Sequence, residues 1–165
     1  MSPPAVAVPP AGGDTLFSNQ QAAFEALSPS LQAYLSTLTA VHDGQDQFKG
    51  ALELVGEGEW EGRSLPELEP VEHPVVRTHP ETGARILFVN PGFTSHIKEL
   101  ERSESDALLA FLYEHSVKHE FTVRYHWQEG TIGMWDNRAT QHAVVGDFSA
   151  HRVIQRVTLR GDAPV

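Results

Sequence analysis

From His73 onward the sequence is a succession of short apolar runs, each cut off by turn residues. That pattern restricts this part of the chain to β-structure. H-P-V-V-R-T-H-P begins the series and stops at the turn P-E-T-G; R-I-L-F-V-N follows and stops at P-G. F-T-V-R-Y-H-W, T-I-G-M-W and H-R-V-I-Q-R-V-T-L predict three further strands. Only one helix interrupts them. It is expected from about Ser103 to Lys118, with Ser103 as cap, Asp106 at the third helical position and A-L-L-A-F-L-Y as its buried stripe.

Upstream the period changes. Asn19 to Leu27 reads as an apolar helix, and Ser28-Pro29 restarts a second one, since Ser suits the N-cap and Pro the first helical position. Residues 1–13, rich in Pro, Ala and Gly, are expected to be extended, with one domain over 14–165. Between 43 and 72, five glycines and seven glutamates predict an exposed acidic loop.

A chain of 165 residues suits a single domain with one modest core. It has no cysteine, which excludes disulfides, thiolate nucleophiles and Cys-bound zinc. A net charge of −10 with no Lys/Arg run argues against a nucleic-acid or anionic-membrane partner. No apolar stretch reaches membrane-spanning length and the N-terminus lacks a signal-peptide pattern, so a cytoplasmic setting is expected. Nine histidines in this length raise the question of a metal.

Four groups carry candidate chemistry. His115 and His119 stand at the i, i+4 spacing of a zinc pair, but without the internal glutamate of H-E-x-x-H, and two histidines also suit a helix C-terminus. His79-Pro80-Glu81 is the one H-x-[DE] unit, although Pro80 and Thr82-Gly83 favour a tight turn. Gly12-Gly13-Asp14-Thr15 says only that the chain turns there. In the last strand Arg152 and Arg156 share a face; on the residues alone, that face either meets solvent or turns inward onto an anion.

Together V-P-P-A-G-G-D-T-L-F, A-A-F-E-A-L-S-P, H-P-V-V-R-T-H-P-E-T-G, L-F-V-N-P-G-F-T, L-L-A-F-L-Y-E-H, W-D-N-R-A-T-Q-H and H-R-V-I-Q-R-V-T-L-R-G-D-A-P resemble the taurine dioxygenase-like (TauD/TfdA) family of Fe(II)- and α-ketoglutarate-dependent dioxygenases. Their order and spacing over residues 8–164 make the resemblance specific. It implies a mostly β fold with flanking helices, around a partial double-stranded β-helix of the jelly-roll type. It also implies roles: His142 as the distal iron ligand, Arg152 as anchor of the far α-ketoglutarate carboxylate, Arg156 on the co-substrate or an anionic substrate group, and Thr15 on α-ketoglutarate. The arginine pair then faces inward. The reaction implied is hydroxylation of a small anionic, sulfonate-like substrate as α-ketoglutarate becomes succinate and CO2. The family's H-x-D, which supplies the other two iron ligands, lies upstream of V-P-P-x-G-G-D-T. The sequence therefore resembles the C-terminal portion of such an enzyme, and a catalytically inactive remnant is the alternative expectation. Substrate identity and oligomeric state are not legible.

Overall fold

The computed structural model describes residues 5–45 and 69–165. Most of the expected acidic loop, and residues 1–4, lie outside the described residues. Among the described residues there are ten short strands, three α-helices and one 3-10 turn, and every strand pairing is antiparallel.

The two early helices form where capping chemistry places them. Strand β1 (Ala5–Ala7) and strand β2 (Thr15–Asn19) precede helix α1 (Gln20–Glu25), whose N-cap Asn19 accepts the N–H groups of Gln21 and Ala22. Helix α2 (Pro29–Leu35) starts on Ser28, which accepts Leu31 N–H, with Pro29 at the first position. Gln32 of α2 donates through Nε2 to the carbonyls of Phe24, Glu25 and Leu27, so the C-terminal end of α1 gains a donor for its free carbonyls from its neighbour.

Strands β3 (Thr39–His42), β4 (Val71–Pro74) and β7 (Thr94–Ile97) make a three-stranded sheet with β3 central, and β5 (Val76–Thr78) pairs with β6 (Arg85–Leu87). Helix α3 (Arg102–Ser116) packs on β7, and a 3-10 turn (His119–Phe121) leads into β8 (Thr122–Tyr125). A second three-stranded sheet runs β8-β2-β9, where β9 is Thr140–Val144; β1 pairs with β10 (Val153–Ile154). Phe24, Leu35, Val75, Leu87, Ile97, Leu109 and their neighbours form the apolar core between the helices and the first sheet.

Several expected boundaries are corrected. H-P-V-V-R-T-H-P is two strands in two sheets, not one. Pro74 ends β4 because it has no N–H for a ladder, and Val75 bonds instead to Leu38 and Phe88. Since β4 begins at Val71, the acidic connection ends before that residue. T-I-G-M-W is irregular: Gly133 lies so close to Trp127 that an added Cβ would fall 2.7 Å from its ring, and Thr131 turns back onto Gln128. The last strand shrinks to Val153–Ile154 because β1 offers so little partner backbone, and Val157 and Leu159 are exposed. Helix α3 starts at Arg102, not Ser103. Glu101 is its N-cap and Glu104, not Asp106, is at the third position, accepting Glu101 N–H at 3.1 Å. Ser103 is therefore an ordinary first-turn residue, and Asp106 lies one turn further on, accepting Arg102 Nε at 2.9 Å.

Candidate co-substrate and metal site

Strand β2 builds the site because it lies between β8 and β9. Thr15 is opposite both Tyr125 and Val144, and Phe17 is opposite His142. Directly paired residues point to one face, and period-two alternation places Thr15 and Phe17 on the same face. Thr15, His142 and Val144 of that face, together with Arg152, Ile154 and Arg156, line an open-mouthed cavity of about 230 Å3. All four residues singled out from the sequence (Thr15, His142, Arg152 and Arg156) line it, as do Trp127 and Trp135.

The charge inside the cavity has one sign. Among the described lining residues the ionised groups are Arg152 and Arg156, with no carboxylate. A chain of net charge −10 thus presents a local cationic pocket. Arg152 is held open at its base: Nε donates to the Gly13 carbonyl at 2.9 Å and Nη2 reaches Thr15 Oγ1 at 3.4 Å. Burial pushes its pKa down from the usual arginine value, the cost of turning a guanidinium inward.

Thr15 is oriented by a residue that sequence reasoning missed. The buried Trp127 indole donates to Thr15 Oγ1 at 2.8 Å. With Trp127 and Arg152 on its lone pairs, the Thr15 hydroxyl has its own proton left to give to an acceptor in the cavity. A tryptophan at the end of T-V-R-Y-H-W was a usable signal, since a buried indole N–H needs a partner.

His142 is half-buried, stacked against Phe17 at 6.1 Å and tilted against Trp135 at 5.0 Å. Desolvation first, and the Arg156 charge second, hold its pKa below the usual histidine value of 6.5. The imidazole is therefore neutral at pH 7, the form that a metal ligand requires.

The turn around His79 links two distant motifs. His79 Nδ1 accepts the N–H groups of Glu81 and Thr82, so Nε2 carries the proton and donates to Asp136 at 3.0 Å. Asp136 in turn is gripped by Arg138, first among the causes that hold its carboxyl far below the usual range. H-P-E is thus a turn, and it fixes the W-D-N-R segment that leads into β9 and His142. The zinc reading of His115 and His119 gains no support. His115 is buried with Nε2 donating to Ala23 O at 2.8 Å, and among the described residues no three His, Asp or Glu side chains gather as a metal site.

The TauD, TfdA family of taurine catabolism dioxygenases matches residues 5–158. The chain belongs to that family. The α-ketoglutarate-dependent sulfate ester dioxygenase of Pseudomonas putida is 37% identical over 164 residues, covering 97% of this chain and 54% of that protein. The crystal structure of a taurine dioxygenase from Burkholderia xenovorans superposes with a TM-score of 0.81 at 39% identity, covering 98% of this chain and 53% of that one. AAD-2, crystallised with Mn(II) and N-oxalylglycine, also gives 0.81, at 30% identity over 98% of this chain and 62% of its own. The mostly β architecture with a few helices is therefore that of TauD-type dioxygenases. The chain spans about half the length of the curated relatives it matches.

Proposed function

We propose that this chain supplies the α-ketoglutarate-anchoring half of a TauD/TfdA dioxygenase site, built on a jelly-roll-type core. The reaction is hydroxylation of a small anionic, sulfonate-like substrate by dioxygen, with α-ketoglutarate leaving as succinate and CO2. The observation that carries this reading is the convergence of Arg152, Arg156 and Thr15 on one cavity that holds no carboxylate among its described lining residues. α-Ketoglutarate is a dianion, and this donor set suits it. Arg152 offers a planar fork to the far carboxylate, the Thr15 proton adds a neutral donor, and Arg156 supplies a second positive charge.

The fit to iron is incomplete. His142, neutral and braced by two rings, suits one ligand position, but the described residues gather no group of three His, Asp or Glu that could hold a metal ion. That observation also favours a second reading, in which the chain binds α-ketoglutarate without turning it over.

Calorimetric titration of α-ketoglutarate, with and without Fe(II), tests the first part. Saturable binding is expected to weaken about 30-fold or more in R152A, the cost of losing one partner of a desolvated charge pair. Release of succinate on adding Fe(II) and a sulfonate supports the enzyme reading. Binding without succinate supports the inactive one, and no binding at all overturns both.

A further inference from the structure

Arg152 is held by backbone and ring rather than by a carboxylate, and its supports trace back to one loop. Its Nε donates to the Gly13 carbonyl at 2.9 Å, and its guanidinium lies over the Phe148 ring at 5.7 Å. Gly13 N–H donates to Asp147 Oδ1 at 2.8 Å. The other Asp147 oxygen accepts Arg124 Nη2 at 2.8 Å, while Arg124 Nε holds Asp14 at 2.6 Å. Consecutive residues 147 and 148 therefore fix both the backbone acceptor and the π-face of the same arginine.

The fit is tight. A Cβ on Gly12 would come within 2.4 Å of the Asp147 carbonyl oxygen, and one on Gly13 within 3.0 Å of Arg152 Cδ. Both glycines have positive φ, 75° and 72°, so this approach is reserved for residues without a side chain. Among the described residues no carboxylate pairs with Arg152 itself. A directly bound aspartate would neutralise the arginine. Asp147, acting through Gly13, orients it and leaves its charge for a ligand.

Given the reading above, in which Arg152 anchors the co-substrate, we propose that Asp147 is a positioning residue that sets the aim of Arg152 through Gly13 and thereby its affinity for α-ketoglutarate. Asp147 touches no co-substrate. Position, not charge, is what it contributes.

Three variants of the whole chain separate these effects. D147N keeps an oxygen for Gly13 N–H and loses the Arg124 ion pair; its α-ketoglutarate affinity is expected within about threefold of wild type. D147A and D147E each remove that oxygen from its place, the latter with the charge retained, and each is expected to weaken binding about tenfold, the scale typical of outer-shell supports. If D147A does not fold by circular dichroism, D147E carries the comparison. Wild-type affinity in D147E, or equal losses in D147N and D147E, would overturn the inference. Hydrogen exchange of the Arg152 Nε–H, followed by NMR, gives a readout independent of ligand: slow in wild type and D147N, fast in D147E. If wild type binds no α-ketoglutarate, the functional reading fails, and this exchange alone decides the inference. Unchanged protection in D147E would then reject it.

Discussion

At the scale of single residues, the site depends on lone pairs and protons more than on contact area. Trp127 and Arg152 occupy the acceptor side of Thr15, so the Thr15 proton faces the cavity. Trp127→Phe removes the indole donor from a buried pair. The expected cost is about 1–3 kcal/mol of stability in urea denaturation, together with weaker α-ketoglutarate binding. His142 offers a second test, because part of its pKa depression comes from Arg156. Arg156→Gln removes that charge and leaves the desolvation, so the imidazole pKa is expected to rise toward, but not reach, 6.5. An NMR titration of the ring protons reads this directly; an unchanged pKa would separate Arg156 from the electrostatics of the site.

At the scale of elements, the cap of α2 was legible, while the cap of α3 and the strand lengths were not. Ser28 and Pro29 announced the start of α2 because a cap is a local hydrogen bond between near neighbours. Strand extent is set by the partner backbone, which local sequence does not contain. H-R-V-I-Q-R-V-T-L alternates over nine residues yet pairs for two. Pro74 was a visible break in H-P-V-V-R-T-H-P, and its missing N–H divided that run between two sheets. The first sheet also carries a pH dependence. His42 in β3 is buried beside His73 and Phe88, its Nε2 without a hydrogen-bond partner among the described residues, and desolvation first, then the neighbouring His73, lowers its pKa to about 4. The folded state therefore binds fewer protons than the unfolded chain between about 4 and 6.5. Stability is full above 6.5 and falls as pH drops through that window, by up to about 3 kcal/mol. Urea denaturation at several pH values is expected to show this acid limb, and His42→Phe to flatten it relative to wild type.

At the scale of the whole molecule, residues far apart in sequence meet in one cationic cavity inside an acidic protein. Thr15 and Arg152 are joined across 137 positions by a hydrogen bond, and His79 and Asp136 across 57. No local pattern encodes such a meeting. The Arg152 and Arg156 pair in isolation left an inward and an outward face equally open. What made the site legible was the order and spacing of several motifs along the chain. Trp127 and Asp147 stayed hidden because each acts through a neighbour, Thr15 or Gly13, rather than through a motif of its own. The most direct test of the central claim is a crystal structure of the chain with α-ketoglutarate. The account predicts one bound anion in the cavity of Thr15, His142 and Arg156, with its far carboxylate paired to the Arg152 guanidinium and within hydrogen-bond reach of the Thr15 hydroxyl. Density for the anion elsewhere, or in the cavity without a contact to Arg152, would contradict it.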